Sequence, residues 1–462
     1  MSMAWRMVLC LLGLCLLASP ALAHASGRGF VMMLPVGYVM FGGALAVLVS
    51  FVALSLLPRR GQAVPQPMPQ PVYGRWASLA GLLVFLVLVV MGLIGPHDPA
   101  ENLLPLGVWT LWWVVIVLLH PLFGNLWAKI NPFTGLHALV TGTWTRTGTG
   151  APRRPPLRYP AWASYWPSLA VFFAFAWFQL VYPAPEDADV LAAVVSAYLV
   201  LGFLGVLLFG PEAWLGRADP FAVFQYQLGT AAPLGNGGLR LPGAGLLSLP
   251  PLPLSGMLFI LLTLSAISFD GFSHSFAWLS LIGVNPLDFP GRTAVLGANT
   301  FGLFLSFVVL AGGFLVSVWL GWEWSGRSLP LVPLCGRLVY SLIPISIAYH
   351  FAHYLSYALV ELQYLALALN DPLATGADLF GIGNHHVTAS FQNTASGARM
   401  IFSVQTVAII LGHVIGVAVA RAMVAETGLP ARAMAKLELP LAICMVFYTA
   451  FGLWLLGAPM IG

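Results

Sequence analysis

A bundle of transmembrane helices is the fold class this chain predicts: all-α and polytopic, with about ten spans after a cleaved signal peptide. Three observations carry that prediction. Of 462 residues, 59% are hydrophobic and only 7% are charged, which leaves no soluble domain of useful size and describes a chain held mostly inside a bilayer. Apolar runs of about 20 residues, the length that crosses a hydrocarbon core, recur along the sequence. Lys and Arg collect on alternate connections between those runs, the pattern by which spanning proteins set their orientation.

The first element is the leader. Arg6 precedes an apolar run from Met7 to Leu17, and Ala21-Leu22-Ala23 is a small-residue cleavage signal. Residues 1–23 therefore read as a signal peptide and residues 24–462 as a single integral-membrane helical domain. Candidate spans follow at 34–57, 76–95, 106–123, 161–182, 190–210, 254–276, 294–320, 331–369, 398–422 and 439–458. The segment Pro65 to Pro71 reads as a short linker without regular structure.

With the mature amino terminus exported, fifteen of the nineteen Lys and Arg residues, from Arg59 to Lys436, fall on inner connections. Arg28, Arg292 and Arg399 fall outside, and Arg6 is in the leader. This bias predicts a bacterial inner-membrane protein with its mature amino terminus in the periplasm. Acidic residues run the other way, since Asp98, Glu101, Glu186, Asp187, Asp189, Asp270, Asp288, Glu361, Asp371 and Asp378 all fall in the outer half. The basic balance is thus topological. The largest basic cluster, Arg153-Arg154-Pro155-Pro156, lacks interleaved aromatics, so no nucleic-acid partner is expected. The expected partners are the lipid bilayer and a small-molecule substrate or solute.

The eighth run is too long for one simple span. As a straight helix, residues 331–369 would measure about 58 Å, so Pro344 is expected to kink it or its carboxyl end to follow the outer interface. Two connections are also long. The inner one, 211–253, is rich in Gly and Pro; the outer one, 371–397, carries Asp378, His385 and His386 and has the length of a lid or site wall.

Inside the eighth run lies Tyr349-His350-Phe351-Ala352-His353-Tyr354. Helical spacing puts His350, His353, Tyr357 and Glu361 near one face, and ionisable groups survive in lipid where they meet a cavity, a partner or an ion. Charge bias assigns the stripe to the outer half, where His24, His97, His274, His385 and His386 also fall. Asp270 and His274 are four residues apart, hence on one helix face. Carboxylate and imidazole together are ligands for a divalent transition metal, zinc or copper first. The candidate metal ligands are accordingly His350, His353, Asp270 and His274. His24 is a further one, because cleavage after Ala23 would let its α-amino group and imidazole chelate together. Glu361, about 16 Å along the helix from His350, is assigned a supporting or substrate-binding role with Tyr357. His97, Asp98, His385 and His386 are secondary candidates in polar connections. For each of these, ordinary packing, capping or solvation is the competing reading.

Other motifs exclude chemistry. Cys335 and Cys444 lie in apolar segments and read as buried thiols, not as a disulfide or a CxxC metal site. His120 and His413 read as packed histidines in preference to haem ligands, with no CxxCH present. Gly42-Gly43 and Gly312-Gly313 suit close helix packing. No P-loop, HExxH or G-x-S-x-G occurs, nor do the HxxxH and HxxHH boxes of membrane di-iron hydroxylases and desaturases.

Four stretches carry a resemblance: His24-Ala25-Ser26-Gly27-Arg28-Gly29-Phe30 followed by Leu34-Pro35, then Ser268-Phe269-Asp270-Gly271-Phe272, Asn285-Pro286-Leu287-Asp288-Phe289-Pro290-Gly291-Arg292, and Tyr349-His350-Phe351-Ala352-His353. In these the chain resembles proteobacterial polytopic membrane proteins named fenitrothion hydrolase. The resemblance implies hydrolysis of an organophosphorus ester, with a metal activating water and aromatics holding an aryl leaving group. No residue identifies a nucleophile. Two other readings stay open: a transporter or permease for a metal ion or small solute, in which the same stripe binds the ion or relays protons, and a copper-handling accessory membrane protein.

Overall fold

The computed structural model describes residues 36–56, 74–142, 155–235 and 238–460. The predicted leader, His24, the linker at 65–71 and the basic pair Arg153-Arg154 lie outside these residues.

The described chain is an all-α bundle with nine helices long and apolar enough to cross a membrane. Helix α1 (Val36–Leu56) and helix α2 (Arg75–Ile94) present apolar side chains outward, among them Phe41 and Leu83. Helix α3 (Leu103–Phe123) begins at Asn102, whose side chain accepts from the Leu104 N–H. Its middle, Leu106–Ile116, winds as a wide π-helical stretch carrying Trp109, Trp112 and Trp113. Such widened turns are uncommon and concentrate at functional sites.

Two short helices, α4 (Trp127–Ile130) and α5 (Pro132–Val140), precede the fourth predicted span. That span is realised as α6 (Trp166–Leu180), only 15 residues, about 22 Å against a hydrocarbon core of about 30 Å. Its predicted start is taken up by turns over 161–165, where Ser164 holds a positive φ. The alternation of ends survives. The Tyr165 N–H donates to Ser255 at one end, and Gln179 reaches the outer part of the eighth span at the other.

Helix α7 (Ala188–Phe209) follows an Asp187 cap. The inner connection then departs from the expected loop. It forms α8 (Pro211–Arg217), α9 (Pro220–Thr230), a two-stranded antiparallel ribbon of β1 (Leu234–Gly235) and β2 (Gly238–Leu239) pairing Leu234 with Leu239, and a 3₁₀ turn at Ala244–Ser248. Helix α9 is buried along nearly all its length and packs against α3 and α6. Asp219 accepts from the Ala222 N–H at 2.6 Å, and Pro220 occupies the first turn, where no donor is missed. The Phe224 ring lies 5.8 Å from Trp113, so α9 reaches the middle of α3 as a re-entrant helix. Its backbone is satisfied internally and enclosed by protein, the condition for such a segment in lipid.

Helix α10 (Leu254–Ser273) is the most enclosed span, followed by short α11 (Phe276–Leu281). Helix α12 (Arg292–Trp324) lies outside it and packs on both α10 and the last helix. The eighth span is α13 (Leu331–Asn370), completed by α14 (Ala395–Ala425) and α15 (Ala431–Gly457). The break in α13 falls before Pro344, not at it. A 3₁₀ turn at Val339–Leu342 separates two helical parts, and Pro344 sits in the first turn of the second, Ile343–Asn370, where its missing N–H costs nothing. Helices α13 and α14 approach closely at Gly412, where a Cβ would press on Ala348 and on the Pro344 carbonyl.

Ionic groups sort by end. At one end Arg337 donates to the Leu247 and Leu249 carbonyls and pairs with Glu426 at 2.6 Å, Arg421 pairs with Glu438 at 2.8 Å, and Arg327 pairs with Glu323 at 2.5 Å. Asp98, Asp187, His274, Asp371 and Asp378 lie at the other, where Arg292 donates to the Gln179 and Tyr182 carbonyls.

Candidate functional site

Asp270 sits in the last turn of α10 and is the centre of a buried polar cluster. Its side chain is 10% exposed, and Oδ2 lies 2.9 Å from His353 Nε2. The same oxygen accepts from the Tyr354 hydroxyl at 3.0 Å. His353 and Tyr354 are adjacent on α13, so one helix supplies both donors to a carboxylate on another. A buried carboxylate is tolerable only with such partners.

Tyr354 is the hub. Its oxygen accepts from Gln179 Nε2 at 2.7 Å and from Trp113 Nε1 at 3.1 Å while donating to Asp270. Neither of those nitrogens can accept in this pair, so the phenolic proton has one direction to point, toward Asp270. Helices α3, α6, α10 and α13 are thereby joined through one hydroxyl. One turn away, His350 Nε2 donates to the Trp113 carbonyl at 3.0 Å, which fixes that tautomer. Tyr357 accepts a long bond from Thr110 at 3.4 Å, continuing the polar seam between α3 and α13.

Two sides of the carboxylate differ in access. Toward the acid-rich end, His353 is 29% and His274 is 34% exposed at the side chain. Toward the bundle centre lies a small cavity of about 20 Å³, walled by Asp270, Tyr354, His350, Gln179, Trp113 and Phe224. That space holds about one water molecule. Asp270 therefore stands between an accessible imidazole pair and a small, mostly apolar cavity that a few polar groups enter.

The predicted residues divide on this geometry. Asp270 and His353 meet directly. His274 lies 3.8 Å from Asp270 Oδ1, beyond hydrogen-bond range, and its Nδ1–H donates instead to the Asp270 backbone carbonyl at 2.8 Å. His350 does not share the His353 partner, because three residues leave the two rings about 60° apart and each meets a different helix. Glu361 is half-buried farther along α13. His97, Asp98, His385 and His386 are exposed in connections, with Asp98 accepting from the Ala100 N–H. His24 lies outside the described residues. Among the described residues no three His, Cys, Asp or Glu side chains form a group able to hold a metal. The donors are turned to other partners: His350 to Trp113, His274 to its own helix, and one oxygen of Asp270 to two hydrogen-bond donors.

His120 has both ring nitrogens bonded, whereas the Nε2 of His413 is buried without a partner among the described residues. His120 donates from Nδ1 to the Ile116 carbonyl and accepts at Nε2 from the Trp127 N–H at 2.9 Å, while His413 Nδ1 donates to Ile409. The functional partners that residue-type reasoning missed are Gln179 and Trp113, and the whole of α9. The signal for α9 was present: Asp219-Pro220 is a helix start, and Phe221, Phe224 and Leu228 recur on one helical face.

No protein family, curated protein or solved structure matches this chain.

Proposed function

We propose that this integral membrane protein moves protons through the Asp270 cluster and couples them to transport of a small solute. The observation that carries the reading is the Asp270 carboxylate itself, held within the most enclosed helix between His353 and Tyr354. Intramembrane carboxylates paired with imidazole and facing a cavity are the parts of proton relays in pumps and transporters. His353 is the group through which a proton from the acid-rich end reaches Asp270, and the Tyr354–Gln179 pair and the water-sized cavity continue the seam inward. The positive-inside rule assigns the arginine-rich end to the cytoplasm of a bacterial inner membrane, which makes the His274 end the outer one.

Purified protein in vesicles loaded with a pH-sensitive dye tests this. An imposed potential, with and without pools of small solutes, is expected to drive acidification in the unaltered chain and none above empty vesicles in Asp270→Asn. Equal flux in both, or none in the unaltered chain under any condition, overturns the reading.

A second reading is the ester hydrolysis that the resemblance implies. The cavity beside Asp270 supports it, since it seats one water within reach of a carboxylate base. A metal-dependent form would take His353 and Asp270 and needs a third donor beyond the described residues, for which His24 is the candidate. Stoichiometric zinc or copper in purified protein that is lost in His353→Ala, together with ester turnover, would favour this reading over transport.

A further inference from the structure

A second, much larger cavity opens at the arginine-rich end. It measures about 580 Å³ and is walled by Trp127, Tyr165, Tyr226 and Tyr340, with Arg217 and Glu212 at its mouth. That is the size of a small-molecule site, and its walls are mixed: four aromatic rings stand among proline and aliphatic side chains, with Asn125, Asn131 and Ser164 as further polar groups. Neither Arg217 nor Glu212 enters an ion pair among the described residues.

Charge selects the ligand. Glu323, Glu426 and Glu438 each neutralise an arginine at this end. Of the residues that line the cleft, Arg217 and Glu212 carry charge, both exposed, and Arg217 is the one cationic group there that an anionic ligand can meet. Arg217 also stands close enough to Tyr165 for its charge to oppose the upward push that burial gives that phenol. A guanidinium beside a tyrosine wall suits a carboxylate carried on a flat ring.

Helix α9 divides this cleft from the Asp270 cavity. Its Ala222, Val223 and Tyr226 line the cleft, whereas Phe224 lines the small cavity. Phe224 and Phe172 pack at 5.8 Å and both flank Trp113, so aromatic rings fill the space between the two compartments.

We propose that the cleft is the solute site of the transporter inferred above, that it takes a small aromatic carboxylate with its charge on Arg217, and that the Phe224 face of α9 is the septum closing it from Asp270. This rests on the transport reading for its role, but binding is measurable without a proton gradient. Calorimetric titration of the full chain in detergent with phenylacetate is expected to saturate and to weaken about tenfold in Arg217→Gln. Phenethylamine, the matched cation, is expected not to bind. Absence of saturable phenylacetate binding, equal affinity in Arg217→Gln, or equal binding of the cation overturns the site. If binding fails while proton flux persists, only the site falls; binding without proton flux strikes the transport reading instead.

The septum has its own readout in a chain with Cys335 and Cys444 replaced by Ser. Val223→Cys is expected to react with a membrane-impermeant maleimide supplied at the arginine-rich end. Ser346→Cys, on the Asp270 cavity, is expected to react only when Phe224→Ala is added. Labelling of Ser346→Cys with Phe224 intact overturns the septum.

Discussion

Replacing Tyr354 by Phe removes one oxygen and keeps the ring, so it tests the hub directly. Three hydrogen bonds end on that oxygen: one given to Asp270 at 3.0 Å and two received, from Gln179 at 2.7 Å and Trp113 at 3.1 Å. Losing the bond to a charged group is worth about 1.5–3 kcal/mol, and leaving a buried donor unsatisfied costs about 1–3 kcal/mol. Trp113 is buried and forfeits that amount, while half-buried Gln179 forfeits less because it can turn toward solvent or the cavity. The expected destabilisation is about 3–5 kcal/mol. Tyr357→Phe is the matched control. Its hydroxyl holds only one 3.4 Å contact with Thr110, so it is expected to cost less than about 1 kcal/mol. Unfolding of both variants in mixed micelles by stepwise denaturing detergent, followed by tryptophan fluorescence, measures the difference. Equal stability of the two within about 1 kcal/mol would falsify the claim that Tyr354 ties four helices together.

Two further perturbations follow from packing and burial. Gly412→Ala inserts a methyl against Ala348 and the Pro344 carbonyl and is expected to lose about 1–3 kcal/mol, whereas Gly313→Ala, whose added Cβ meets nothing within 4 Å, is expected to be neutral or slightly stabilising; thermal unfolding of both, read by size-exclusion, checks the contrast. Burial pushes the Asp219 carboxyl up to about 6 from its ordinary 3.8, against bonds from Ala222, Tyr198 and Phe221 that favour the charged form. A raised folded value means that its contribution is full below about pH 4 and is lost as pH climbs toward 6. Asp219→Asn is therefore expected to gain up to about 3 kcal/mol over the unaltered chain at pH 7.5 and little at pH 4. A stability difference between the two that does not change with pH refutes the assignment.

Much of this fold was legible in the sequence because lipid imposes local rules. A span must be long, apolar and continuous, and the sign of its flanking charges fixes its direction; both can be read without knowing any contact. The exceptions follow from packing. The fourth run is apolar over 161–182, yet Pro160 and the turn after it shorten the helix to Trp166–Leu180. In α13, Pro344 was expected to make the break, but the backbone changes winding a turn earlier and leaves the proline in a position that suits it.

The candidate site was legible in part for a similar reason. The stripe on α13 and the Asp270–His274 pair on α10 are each visible as periodicity, and the meeting of Asp270 with His353 joins them. Which histidine takes the carboxylate depends on the rotation of α13 against α3 and α10, which no spacing encodes. Tyr354 looked like an aromatic flank because its partners Gln179 and Trp113 lie 175 and 241 residues away in the chain. Helix α9 escaped a search built on runs of about 20 residues, since it has 11 residues and two glutamines.

The enclosure of α9 also constrains the order in which this protein is made. Gln225 is fully buried on α9 with neither amide atom paired, and the helix is too short to be handed into lipid as a span. Its walls include α13, which is synthesised afterwards. Until α13 is made, α9 has the walls that α3 and α6 supply and lacks this one. The aromatic centre formed by Trp113, Phe172 and Phe224 is thus encoded before its last wall, and a chain ending before Ile343 would hold those rings without Ser346, His350 and Tyr354, which close the cavity beside them.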